Sequence, residues 1–167
     1  MKKRRVLFLC YGNACRSIMA EALARHFDDE CIEPFSAGLK PLGSIPPFTL
    51  EALAEVGIPT GGLYSKGLSE VWLHQMDYLV DLTTTRAGRR MPHAFSGKVI
   101  SYPVRDPFGH DLEAFRQARE KIGLYVCREL PRLVCWQKRF WCLHPKGLLE
   151  ALRNTPKPQP PSAKDVL

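Results

Sequence analysis

Arg16 stands six positions after Cys10, and Ser17 follows at once. Cysteine supplies a nucleophilic sulfur. Arginine supplies a planar fork of donors that fits two oxygens of a phosphate. Between them lie Tyr11, Gly12, Asn13, Ala14 and Cys15. Glycine and asparagine tolerate the left-handed backbone that a tight anion cradle needs. Backbone N–H groups of such a loop, with a helix N-terminus behind them, converge on an oxyanion. The same surroundings favour a thiolate over a thiol. One short segment therefore makes a nucleophile and binds the group it attacks.

The elements around this segment set its position. Arg5–Cys10 is a short apolar run with a turn signal after it, and predicts a buried strand. Ser17–Phe27 places Ile18, Met19, Ala22, Leu23 and Phe27 on a helical period. Strand, tight loop and helix open a parallel α/β unit, whose ligands sit at the carboxyl ends of strands. Ile32–Ala37 predicts a second strand, and Pro34 within it points to a sheet edge. A helix from Pro46-Pro47 to Val56, strands at Tyr78–Leu82 and Val99–Tyr102, and a long helix at Leu112–Leu130 complete the alternation. The expected fold is a small four-stranded parallel, doubly wound sheet flanked by helices.

Pro131 predicts a break. A further helix over Leu133–Leu152 and a proline-rich, unpacked tail from Asn154 follow. The expected organisation is a catalytic domain at 1–130, a C-terminal helical extension at 131–153 and a tail at 154–167.

Charge divides unevenly. The net charge is +7, yet Val6–Ala118 holds ten Lys/Arg against thirteen Asp/Glu. The excess sits at Lys2–Arg5 and in Arg119–Arg153. A basic stripe on the folded body, the mark of a nucleic-acid binder, is missing, so no nucleic-acid partner is expected. An acidic partner for the basic C-terminal extension remains open. Val6–Cys10 is the longest early apolar run, too short for a secretion signal or a membrane span. The chain reads as cytoplasmic. Its six cysteines are scattered, without disulfide-framework spacing, and read as thiols. Cys135, Cys142 and His144 lack the second half of a metal site, so neither metal nor cofactor is expected.

Val6–Ser17, continuing to Met19-Ala20-Glu21, resembles the signature of the low-molecular-weight protein tyrosine phosphatases. Ser36-Ala37-Gly38 and Asp106-Pro107-Phe108-Gly109 extend the resemblance, and Asp77–Val80 with Thr83–Arg86 look like the bacterial branch. It covers about Arg4–Leu130. The resemblance implies a phosphorylated protein substrate, Cys10 as nucleophile, Arg16 as phosphate clamp and Asp106 as general acid. Residues Tyr11 to Arg16 would bind the phosphate. Asn13 would hold the loop through Ser36, and Ser17 would hydrogen-bond the thiolate. Phe108 would form one substrate wall and Leu42 the other. Cys10 and Cys15 would form a reversible, protective redox pair.

Three alternatives stay open. Ala14 stands where related tyrosine-specific enzymes have isoleucine and one branch of protein-arginine phosphatases has threonine; alanine decides neither. A sister group reduces arsenate, but its thioredoxin-coupled members need two further cysteines near Leu82–Pro92, where this chain has none. A non-enzymatic phosphate-binding module would not need the intact Cys10, Arg16 and Asp106. Ile18 replaces the proline usual at the first helical turn, a change the fold should tolerate.

Overall fold

The structure, a computed structural model, describes residues 2–27, 31–85, 91 and 94–135. Arg4–Cys10 forms β1, Arg16–Phe27 α1 and Ile32–Gly38 β2. Pro47–Ala54 forms α2, Tyr78–Asp81 β3, Lys98–Ser101 β4 and Leu112–Leu124 α3. All strand pairs are parallel, in the order β2-β1-β3-β4. The sheet is the expected one, and Pro34 lies on an edge strand. There its missing N–H costs no ladder bond on the open side.

β1 is central, which explains its unbroken apolar run: Val6 to Leu9 are fully buried on both faces. Val6 and Phe8 join a core with Met19, Leu23, Leu53, Phe115 and Ile122, so α1, α2 and α3 share that face. Leu7 and Leu9 face the other way, against Leu73, Met76 and Leu79. Among the described residues that second face is covered by two single 3₁₀ turns, Leu68–Glu70 and Leu73–Gln75.

Helix continues through Pro131 where the sequence predicts a break. A π-helical stretch, Tyr125–Glu129, leads from α3 into α4, Leu130–Val134. Proline inside an α-helix clashes with the carbonyl four residues back, and a widened turn relieves that clash. The expected helix over Leu133–Leu152 and the tail from Asn154 lie, beyond Cys135, outside the described residues.

The cysteines also differ from expectation. Cys31 and Cys135 form a disulfide, with Cα atoms 6.4 Å apart across 104 residues of sequence. Helices run antiparallel to strands in such units, so the end of α4 returns to the pole where β2 begins. That proximity is invisible in linear spacing. A loop this long makes the crosslink worth about 4.7 kcal/mol on chain entropy alone. Cys135→Ser, or reduction of the wild-type protein, should lower the melting temperature by about 10 °C in a calorimetric scan. An unchanged transition would show that the bond contributes nothing.

Candidate active site

Cys10 ends β1 and Arg16 begins α1; both are buried. The five residues between them turn the chain sharply, with Asn13 at φ 43°. The loop's carbonyls are held from outside. Leu39, Lys40 and Leu42 donate their N–H groups to the carbonyls of Cys10, Tyr11 and Gly12 at 3.2, 2.9 and 2.9 Å. The Thr49 hydroxyl donates to Ala14 O at 3.0 Å, and Met19 N–H to Cys15 O at 2.9 Å. A planar peptide points its N–H opposite to its carbonyl. Pulling these carbonyls outward therefore turns the N–H groups of Tyr11, Gly12, Asn13, Cys15 and Arg16 inward. None of those five N–H groups donates to a protein oxygen among the described residues ahead of the helix. Together they form a cup of unspent donors with the Cys10 sulfur at the bottom.

Gly38 makes this closeness possible. A Cβ there would stand 2.7 Å from Asn13 N and 2.9 Å from Gly12 C and Tyr11 O. All three are backbone atoms and have no side-chain freedom with which to yield.

Hydrogen bonds lead from the sulfur into the interior. Cys10 Sγ lies 3.0 Å from Ser17 Oγ. Asn13 Nδ2 donates to Ser17 Oγ at 2.8 Å and to Ser36 Oγ at 2.9 Å. Ser17 thus accepts from Asn13 and keeps its own O–H for the sulfur. Asn13 Oδ1 accepts from Lys66 N–H at 2.8 Å.

Behind Ser36 sits a buried ion pair that sequence reasoning missed. Lys66 Nζ is 3.0 Å from Glu21 Oε2 and 3.1 Å from Ser36 Oγ. Ser36 donates to the same Glu21 oxygen, and Arg25 pairs with the other. Burying such charges is costly unless every member is paired, as these are. One signal was present: Glu21 interrupts the apolar stretch Ile18–Ala24, and a carboxylate there must find a cation. Nothing in the sequence marked Lys66 or Thr49.

Two further arginines steady α2, which carries Thr49. Arg119, fully buried, donates to Ala52 O at 2.7 Å and to Glu55 at 3.0 Å. Arg116 holds Glu55 from the other side, and its hydrogen bonds keep that carboxyl below the usual range.

The Arg16 guanidinium is fixed across the sheet. Its Nη1 donates to Val104 O at 3.2 Å and reaches Leu82 O at 3.5 Å, and its Nη2 pairs with Asp106. Its Nε is buried with no partner among the described residues. An oxyanion in the cup would answer that donor.

Asp106 sits on an exposed turn, where its second oxygen accepts from Phe108 N–H at 3.2 Å. Phe108, Leu42 and Tyr11 are each about half exposed and lie on three different segments of the chain. Leu42 is held against the loop through its bond to Gly12. The sequence marked Tyr11 only as part of the phosphate loop; its exposed ring adds a third apolar surface.

Cys15 is a buried free thiol, as is Cys10. Burial pushes the Cys15 thiol up to about 12, with the Thr49 hydroxyl offsetting part of the effect. At neutral pH it stays protonated and packs as a small apolar side chain. The described residues hold no cluster of His, Cys, Asp or Glu suited to a metal. No helix among them is long and apolar enough to cross a membrane.

Comparison with known proteins adds four findings. The family model "low molecular weight phosphotyrosine protein phosphatase" matches residues 5–133. An arsenate reductase of Bacillus cereus is 30% identical over 129 residues, covering 75% of this chain and 93% of that protein. The YwlE arginine phosphatase from Geobacillus stearothermophilus superposes with a TM-score of 0.68 at 27% identity, covering 78% of this chain and 92% of that one. A low molecular weight protein tyrosine phosphatase from T. tengcongensis gives 0.66 at 26% identity, with 74% and 95% covered.

Proposed function

Since the chain belongs to the low molecular weight phosphotyrosine protein phosphatase family, we propose that it hydrolyses phosphotyrosine monoesters in proteins through a cysteinyl phosphate on Cys10. The observation that carries this reading is the cup: outward carbonyls, inward N–H groups, a sulfur at the bottom and an unpartnered Arg16 Nε at the side.

The phosphate enters the cup and competes with Asp106 for the Arg16 fork. The Cys10 thiolate attacks phosphorus as the bond to the tyrosine oxygen breaks. Asp106, as the carboxylic acid, gives its proton to that oxygen. In the second step the Asp106 carboxylate takes a proton from water. The water oxygen attacks phosphorus, the S–P bond breaks, and sulfur leaves as thiolate beside the Ser17 hydroxyl. The N–H groups and Arg16 stabilise the charge spread over the transferring oxygens throughout. Phe108, Leu42 and Tyr11 supply apolar surface for a flat aryl group. Cys10 and Cys15 belong to the same proposal as a redox pair; oxidation of Cys10 would draw on the thiol beside it. A cytoplasmic setting also belongs to it, and there the Cys31–Cys135 bond would face reduction.

Asp106→Ala should slow release of tyrosine about 100-fold, while an aryl phosphate with a strongly acidic leaving group loses far less. Initial rates across a series of leaving groups measure this. Equal losses across the series would remove Asp106 as the acid.

The match to an arginine phosphatase favours phosphoarginine as the second reading. Side-by-side rates on phosphotyrosine and phosphoarginine peptides separate the two. Arsenate reduction coupled to thioredoxin is less favoured. Residue 82 is a fully buried leucine, and no cysteine lies between it and Pro92.

A further inference from the structure

At the other end of the sheet, the amino ends of β1, β3 and β4 border a cavity of about 650 Å³. Six residue steps of extended chain lead from Arg4 to Cys10, which places this cavity about 20 Å from the sulfur. Its lining includes Lys2, Arg4, Arg5 and Lys98 against a single carboxylate, Asp77. Asp77 is already engaged: one oxygen accepts the Arg5 backbone N–H at 2.8 Å, and the other lies 3.9 Å from Arg4. Arg5 turns its side chain to Glu33, at 3.0 Å, and to Gln75. Lys2 and Lys98 have no ion-pair partner among the described residues. Among the described residues, positive charge is thus left uncompensated on two sides of a cavity whose volume suits a small ligand.

The spacing selects the ligand. β3 lies between β1 and β4, so the backbones that carry Arg4 and Lys98 are two strand spacings apart, about 10 Å. One orthophosphate cannot meet both sides while these side chains stay extended. A chain of two or three linked phosphates can, with its oxygens reaching Lys2 and Arg4 at one end and Lys98 at the other. We propose that this cavity is a binding site for a small oligophosphate, separate from the catalytic cup and independent of the reaction proposed there. Its location, away from the carboxyl ends of the strands, makes it a ligand site rather than a second centre of chemistry. Binding would fasten the amino ends of three strands together.

Calorimetric titration with inorganic tripolyphosphate at low salt tests this. The protein is Cys10→Ser, so that nothing is hydrolysed, and excess orthophosphate fills the catalytic cup. One tripolyphosphate should bind per chain despite the orthophosphate. Reversing both exposed lysines, Lys2→Glu with Lys98→Glu, should weaken binding at least about tenfold, and Lys98→Gln alone by about threefold. The control Lys121→Glu, the same charge change on α3, should leave affinity within about twofold. With Cys10 intact, the Lys2/Lys98 variant should hydrolyse an aryl phosphate at the unaltered rate. Undiminished tripolyphosphate binding in the charge-reversed protein, or displacement by orthophosphate, would overturn the proposal.

Discussion

Replacing Cys10 by serine is expected to abolish hydrolysis of aryl phosphates, with a loss of at least about 10⁴-fold. Oxygen is a far weaker nucleophile at neutral pH, and nothing near residue 10 is placed to remove its proton. Ser17 spends its acceptor on Asn13 and turns its hydrogen toward position 10. That arrangement steadies an anion and does not create one. The cup itself should survive, because its carbonyls are held by Leu39, Lys40, Leu42 and Thr49 rather than by the sulfur. Orthophosphate should therefore still bind the variant in a calorimetric titration. Mass spectrometry of a quenched wild-type reaction should find a phosphoryl group on Cys10. Serine and wild-type proteins that turn over equally would exclude the covalent route.

Arg16→Lys should cost about 10³-fold in kcat/KM, although the charge is kept. The guanidinium spans several partners at once, the carbonyls of Val104 and Leu82 and the carboxylate of Asp106, and its Nε is left for the phosphate of the proposed substrate. Lysine offers a single point of charge on a flexible stem and cannot hold that plane. Much of the loss should fall on kcat, since the fork matters most while charge is redistributed at phosphorus. A lysine variant within tenfold of wild type would mean that charge alone suffices.

The part of the site that could be read in the sequence is the part made by consecutive residues. Cys10 to Ser17 lies on one strand, one loop and one helix start, so local pattern places every member. Asn13 and Ser36 are 23 residues apart, and only family resemblance paired them; the structure sets them 2.9 Å apart. Lys66 lies in a stretch without regular periodicity, between α2 and the 3₁₀ turns, where no pattern says which way a side chain faces. Its role comes from tertiary contacts alone. The central strand was legible because burial on both faces leaves a continuous apolar run. The disulfide was not, because its two halves meet only after four strands and the helices between them have folded. Pro131 misled because propensity assumes a regular α-helix, and the chain widened one turn instead.

Gly38 carries a lesson about transplantation. The cup is the work of two chain segments passing at backbone contact, one bearing the Cys10 sulfur and the other contributing only backbone there. Grafting residues 10–17 onto a foreign strand pair would carry over the signature and leave its mould behind. A designer borrowing this chemistry would have to import the neighbouring strand's last residues as well, with a hydrogen atom alone where a methyl group would otherwise stand.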